Sequence, residues 1–252
     1  MNLNLKNKKV LITGSSHGIG LEIAKYLSKE GCLVAINGRN KKKLLKASKL
    51  VPGSFPIQGD VTNYKIAKKI VNNAVKNLRS MDILVCNVGS GKSEKAGEES
   101  YNEWEKIFKK NFWSVINIVK ESQKFLIKSK GNIVCISSIC GLEVILGAPA
   151  TYSTAKSALN AYIKCMSYFF GKYGVRINGI APGNILFKNS TWEKKLKRQI
   201  NKTRKFLSEN VPLKKFGSTH DIAHLTAYLV SKKSEFITGS IFTIDGGQTR
   251  RI

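Results

Sequence analysis

The chain has 252 residues, 42% of them apolar, which suits one sizeable core and one domain over 1–252 rather than two. Forty-three Lys and Arg against 16 Asp and Glu give a formal net charge of +27, which raises nucleic acid, an anionic membrane surface or an acidic substrate as partners. A nucleotide-biased genome that fills the surface with solvated lysines accounts for the same balance, so charge alone selects none of them.

No run approaches the ~18 apolar residues of a membrane span, and the opening MNLNLKNKKV is polar, with no apolar stretch ahead of a cleavage site. A soluble cytoplasmic protein without a membrane partner is the expectation. Cys32, Cys86, Cys135, Cys140 and Cys165 form no C-x-x-C pair and most sit in apolar runs, which argues against disulfides and metal.

In chain order, KVLIT, CLVAIN, SFPIQGD, DILVCN, NIVCIS, VRINGIAP and SIFTID read as strands separated by helical patterns. The first such pattern, IGLEIAKYLSKEG, is apolar at Ile19, Ile23, Ala24 and Leu27. Alternation of this kind predicts an α/β fold with a parallel sheet covered on both faces.

The first strand runs directly into TGSSHGIG and a helix. Gly14, Gly18 and Gly20 permit a tight turn and close backbone approach to a ligand, and the helix N-terminus then faces an anion such as a pyrophosphate. Ser16, His17 and Ile19 belong to the same loop, where His17 either adds positive character or only fills the turn. The second strand ends in INGRN, where a dinucleotide fold presents the adenosine ribose. No Asp or Glu lies between Glu30 and Asp60, and Arg39 suits a 2′-phosphate, so NADP(H) is expected over NAD(H).

TYSTAKSA places Tyr152 and Lys156 four residues apart, on one face of a helix. A free phenol has a pKa of about 10, and a fixed cation beside it pulls that value down. The spacing predicts a tyrosine tuned for proton transfer by its lysine neighbour.

After VRINGIAPG, residues 185–215 form an insertion before the helix-like HDIAHLTAYLV and the last strand. Trp192, Leu196, Ile200 and Leu207 keep near-helical spacing, predicting an amphipathic lid helix with a basic outer face. From Lys188 to Lys205 eight Lys or Arg face one acid, Glu193, which favours a substrate with an anionic handle. His220 and His224 have metal-compatible spacing but no third ligand, and Ser218 with Asp221 reads as a capping box.

Together these segments resemble the short-chain dehydrogenase/reductase superfamily over essentially the whole length. TGSSHGIG resembles its cofactor loop, Asp60-Val61 its adenine-binding pair, CNVG at 86–89 its N-N-A-G, and KKNFWSV its conserved-position Asn at 111. ISS resembles the segment ending strand five, YSTAK its Y-x-x-x-K, APGNI its P-G turn and IDGG its final strand end. The resemblance implies a single-domain Rossmann-type doubly wound sheet of about seven strands, with a helical substrate lid before the last helix and strand.

It also implies roles. Tyr152 would exchange a proton with a carbonyl or alcohol oxygen, Lys156 would lower the Tyr152 pKa and bind the nicotinamide ribose, Ser138 would hold the substrate oxygen, and Asn111 would bind a water that links Lys156 to solvent. Asn87 and Gly89 would line the adenosine side, and Pro182, Gly183 and Ile185 the nicotinamide. Phe187 replaces a frequent Thr and is expected to face the substrate, with Glu143, Val144 and Leu146 shaping its pocket, although Val144 and Leu146 suit interface packing equally. The implied assembly is a homotetramer or homodimer pairing the Asn111 and Tyr152 helices.

The principal expectation is thus an NADP(H)-dependent oxidoreductase acting on a small or nucleotide-linked anionic carbonyl or alcohol. NVGSGKS and PGNILF resemble relatives in surface-polysaccharide sugar pathways. The rival is a 3-oxoacyl carrier-protein reductase, whose acidic acyl carrier protein would suit the basic lid. A non-catalytic dinucleotide-bound regulator or nucleic-acid binder is the alternative from another class; the intact Asn111, Ser138, Tyr152 and Lys156 argue against it, and no nucleic acid partner is expected.

Overall fold

The computed structural model describes residues 2–251. Its strands are β1 (Lys9–Ile12), β2 (Leu33–Gly38), β3 (Phe55–Gln58), β4 (Ile83–Cys86), β5 (Asn132–Ile136), β6 (Arg176–Pro182), the short β7 (Ile185–Leu186) and β8 (Gly217–Ser218), and β9 (Ile241–Ile244). Seven of them form one parallel sheet in the order β3-β2-β1-β4-β5-β6-β9, while β7 and β8 pair separately. Each apolar run read as a strand is one of the seven.

Period-two alternation assigns the layers. Val10, Ile12, Ile83, Val85, Val134 and Ile136 enter one core, and the intervening Leu11, Leu84, Cys86, Ile133 and Cys135 enter the other. Both faces are covered, which is why these strands are apolar throughout. The first core is closed by α1 (Gly18–Lys29), α2 (Lys41–Ser48) and, late in the chain, the helix Thr219–Val230. The second is closed by α3 (Tyr64–Leu78), by α5 (Ser114–Ser129), which follows α4 (Tyr101–Phe108), and by α6 (Ala150–Gly171).

Two lid-region helices follow, α7 (Thr191–Arg198) and α8 (Ile200–Asn210), and Thr219–Val230 is α9. The single amphipathic lid helix expected from spacing is therefore two. The chain breaks at Gln199, whose φ of −147° and ψ of 61° leave the helical region. The two pieces fold against each other because Trp192 stacks on Phe206, with ring centroids 5.3 Å apart, and also meets Phe216 at 5.4 Å. Ile200, counted on the apolar stripe, is 48% exposed as a result.

Polar residues stop and start the helices as their chemistry requires. Asn40, Asn63, Ser100 and Ser190 accept from backbone N–H groups of the first turns of α2, α3, α4 and α7. Ser218 and Asp221 form the capping box of α9. His220 pairs with Glu22 at 3.2 Å, and His224 meets the Tyr26 ring edge at 4.8 Å, so the two histidines serve the α1–α9 contact separately. No helix among the described residues is long and apolar enough to cross a membrane.

The chain leaves β1 toward β2 and β3 on one side and later builds β4, β5, β6 and β9 on the other. The crevice beyond the carboxyl ends of β1 and β4 is where such a sheet binds ligands.

Candidate active site

A cleft of about 990 Å³ opens at that crevice. Gly14, Ser16, His17, Gly18 and Ile19 line one end with Arg39, Asp60 and Val61; Asn87 and Gly89 line the middle; Ser138, Tyr152, Lys156, Pro182, Gly183 and Ile185 line the other. Of the predicted site residues, only Gly20 and Asn111 lie behind this surface.

The loop after β1 is shaped by glycines at positive φ, +63° at Gly14 and +58° at Gly18, a region that side-chain-bearing residues avoid. A Cβ at Gly14 would come within 3.0 Å of Val88, and Gly20 packs on Gly14 and Asn87. His17 precedes α1 in extended conformation and gives no side-chain cap, so first-turn N–H groups are left for an anion. Thr13, Ser15 and Asn37 hold this loop, and sequence reading missed them. The Asn37 N–H donates to Ser15 Oγ (2.9 Å), and Asn37 Nδ2 donates to the Ile57 and Gly59 carbonyls at 3.0 and 3.2 Å. Asn87 donates to the carbonyls of Thr13 and Gly14, both at 3.1 Å, tying the loop after β4 to the loop after β1. Their only sequence signal was position, at the carboxyl ends of strands.

Two expectations about this end are refined. Partial desolvation, then the Lys43 charge, lowers the His17 pKa below its usual 6.5, which weakens the positive character expected of the imidazole. The Phe187 ring lines the cleft close against the glycine loop, where a Cβ on Gly18 would fall 2.6 Å from it. The Arg39 Nη1 sits 3.3 Å from Asp60 Oδ2, with the Arg39 side chain two-thirds exposed. Burial raises the Asp60 pKa, but the Thr62 N–H, which donates at 2.9 Å, and Arg39 outweigh it and hold the carboxylate below its usual range. Lys110 also lines this end, and its pKa is lowered by burial and by Arg39.

At the other end, α6 brings Tyr152 and Lys156 to one face. The start of α6 is held by Glu99, whose Oε1 accepts from Ala150 and Thr151 N–H at 3.0 and 3.2 Å. The Lys156 Nζ donates to the Ile136 carbonyl at 2.8 Å and lies 5.9 Å from the Tyr152 ring centre. Ser138 continues β5 in extended conformation and accepts from the Cys140 N–H at 3.2 Å.

Asn111 occupies a wide π-helical turn, Lys109–Trp113, between α4 and α5. Its Nδ2 donates to the Ile107 and Ser90 carbonyls at 3.0 and 3.1 Å, and its Oδ1 accepts from the Ser90 N–H at 2.9 Å. The wide turn is how a poor helix former stays inside a helix: its amide takes the Ile107 carbonyl. Gly89 is the spacer in front of it, since a Cβ there would meet Asn111 Oδ1 at 2.9 Å and Lys156 Nζ at 3.2 Å.

The cleft does not lower the Tyr152 pKa as the four-residue spacing suggested. Burial pushes the phenol up to about 12, with Ser138 acting in the opposite sense. Burial likewise brings Lys156 down to about 8. Desolvation is the largest influence on both groups, and Lys156 Nζ is taken up by the Ile136 carbonyl. A stability test follows. Between the folded value of about 8 and the unfolded 10.5, the unfolded chain binds more protons, so stability rises with pH across that window. Lys156 should contribute a gain of about 2 kcal/mol from pH 7.5 to 9.5, read by urea unfolding, and Lys156→Met should lack that increment. Equal pH slopes in both proteins would refute the buried-cation account.

On the substrate side, Leu146 lines the cleft, Val144 is 89% exposed and off it, which leaves its interface reading, and Glu143 meets the cleft only indirectly, by accepting backbone N–H groups.

A Gly-loop helix start, an acidic residue after β3 and a Tyr/Lys/Ser group at one crevice define a dinucleotide-binding oxidoreductase fold. Comparisons agree. Residues 14–249 match the family model described as enoyl-(acyl carrier protein) reductase. The chain is 33% identical to the 3-oxoacyl-(acyl-carrier-protein) reductase FabG of Rickettsia conorii, over 97% of this chain and 98% of that one. It is 30% identical to a glucose 1-dehydrogenase of Gluconobacter oxydans, over 96% and 92%. Among solved structures, L-sorbose reductase of Gluconobacter frateurii in complex with NADPH and L-sorbose superposes with a TM-score of 0.92 at 25% identity, covering 100% of both chains. A 7α-hydroxysteroid dehydrogenase with NADH and 7-oxo glycochenodeoxycholic acid gives 0.90 at 25%, over 99% and 97%. The chain belongs to the short-chain dehydrogenase/reductase superfamily, whose members are NAD(P)-dependent oxidoreductases.

Proposed function

We propose that this protein is an NADP(H)-dependent reductase of a carbonyl substrate bearing an anionic group, with Tyr152, Ser138 and Lys156 at the reacting end. The observation that carries the reading is that these three side chains share one cleft with the glycine loop. The donor set fits a dinucleotide: positive-φ glycines leave the backbone bare, the first turn of α1 lacks a side-chain cap, and Arg39 stands at the end of β2. When bound, the nicotinamide supplies or accepts the hydride.

The protein residues manage the proton and the geometry. A phenol near 12 stays protonated through the neutral range, so Tyr152 is a proton donor to a carbonyl oxygen and Lys156, charged below about 8, stabilises the phenolate left behind. The Ser138 hydroxyl, facing the same space, donates to that oxygen. Asn111 is a positioning residue that fixes Ser90 and Gly89 in front of Lys156.

The lid supports an anionic substrate. Lys194, Lys195 and Lys202 line the cleft, and Asp60, at the far end, is its only acidic residue among those described. Glu193 does not offset them, because it accepts from the Asn189 N–H at 2.6 Å and pairs with Lys197 at 3.4 Å. Changing Lys194, Lys195 and Lys202 together to Gln should raise KM for an anionic ketone about tenfold more than for a neutral one, and added salt should mimic the change. Equal KM changes for both substrates would remove the anionic handle.

The same lysines would dock an acidic acyl carrier protein, and the reductase relative keeps that second reading open. Rates with NADPH on an acetoacetyl thioester, a panel of keto-sugar nucleotides and L-sorbose separate the two; no turnover on any of them would sink both. Assembly as a homotetramer or homodimer is part of the proposal, supported by Trp113 on the turn before α5 and Tyr168 on α6, 50% and 74% exposed.

A further inference from the structure

The segment 245–251 follows β9 and touches three separate walls of the cleft's substrate end. Its own turn is held by Asp245, whose Oδ1 accepts from the Gly247 N–H at 2.9 Å and whose Oδ2 accepts from Thr249 N and Oγ1, both at 2.8 Å. Gly246 and Gly247, at φ +68° and +85°, make that turn. The Gly246 carbonyl accepts from the Leu213 N–H at 3.1 Å, just beyond the end of α8. Gln248 Oε1 accepts from Asn184 Nδ2 at 2.7 Å, and both residues are 8% exposed. The Arg250 and Arg251 N–H groups donate to Glu143 Oε2 at 3.1 and 3.2 Å.

The three walls are the turn after β6 carrying Gly183 and Asn184, the exit of the lid, and the loop between Ser138 and Tyr152. Asn184, Ile145 and Leu146 line the cleft itself. We propose that residues 245–251 are a strap that sets the shape of the substrate end, with Gln248 and Glu143 as positioning residues that fasten it. A buried amide pair at 2.7 Å fixes the Asn184 side chain, because a donor left unpaired there would be unsatisfied. One carboxylate oxygen taking two successive N–H groups fixes the loop at the other end. Neither residue touches the reacting atoms.

The test has two readouts. Amide hydrogen exchange on the free protein needs no substrate: Gln248→Ala and Glu143→Ala should each speed exchange in residues 142–149 by about tenfold. Faster exchange confined to 245–251, or none, overturns the strap. The kinetic readout rests on the proposed function: with the ketone reduced fastest in the panel, KM should rise about fivefold in each variant while NADPH affinity stays within about twofold. A parallel loss of NADPH affinity would instead mark general destabilisation and overturn it. Gln248→Glu and Glu143→Gln keep an acceptor oxygen and should restore both readouts. If no ketone is turned over, the proposed function fails while hydrogen exchange still decides the strap.

Discussion

Tyr152→Phe should lower turnover at least about a thousandfold, the scale of a lost general acid, while leaving NADPH affinity nearly intact. The substitution removes one oxygen and keeps the ring, whose contact with Gly91 is set by carbon atoms: a Cβ built there would lie 3.5 Å from Tyr152 Cε1. The reaction then lacks its proposed donor, since the Lys156 ammonium at the same end is held by the Ile136 carbonyl. Cys140 is the nearest rival on the cleft, and burial raises its thiol pKa, so it too stays protonated; Cys140→Ser with normal rates is the matching control. Pre-steady-state hydride transfer and fluorescence titration with NADPH check both halves. Ordinary rates in Tyr152→Phe would refute the proton-donor role.

The second large effect concerns the cofactor. Arg39→Asp should swing the ratio of kcat/KM for NADPH to that for NADH by at least about a hundredfold, from one lost charge-assisted bond plus a new repulsion. The pair that Arg39 makes with Asp60 does not oppose this, because an ion pair this exposed is worth ~0–1 kcal/mol and yields readily to a phosphate. Arg39→Ala should lose NADPH efficiency without gaining NADH, since it supplies no acceptor for a free 2′-hydroxyl. An unchanged ratio in Arg39→Asp would remove the case for the phosphate form and shift attention to Lys110, the other cation at that end.

The cationic field has a consistent layout. Arg39 and Lys110 stand at one end of the cleft, the buried Lys156 and the lid residues Lys194, Lys195 and Lys202 at the other, and Lys92 also lines the wall. A charge of +27 spread over the whole chain does not by itself predict this. Glu193, the one acid of the lid stretch, is engaged by the Asn189 N–H and Lys197, so it pairs with none of the three cleft lysines.

Local chemistry made much of this protein legible in its sequence. Seven apolar runs became seven strands because a parallel sheet covered on both faces favours apolar residues at most positions, with polar ones such as Asn37 and Asn178 hydrogen-bonded to the main chain. Gly14 and Gly18 were readable because positive φ is a property of the residue itself. Ser218 and Asp221 were readable because a cap lies within four residues of its helix. What sequence spacing could not decide were effects summed over neighbours distant in the chain. The Tyr152 and Lys156 pKa values follow from how much of the cleft desolvates each group, and that outweighed the helix spacing that brought them together. The break at Gln199 follows from aromatic stacking across the lid, and the place of Phe187 from the glycine loop more than 160 residues earlier. Asn37, Glu99 and Gln248 act by hydrogen bonds to segments far from them in the chain, so only the tertiary structure, which fixes distance and burial together, could assign them; for Glu143 it supplied the partners.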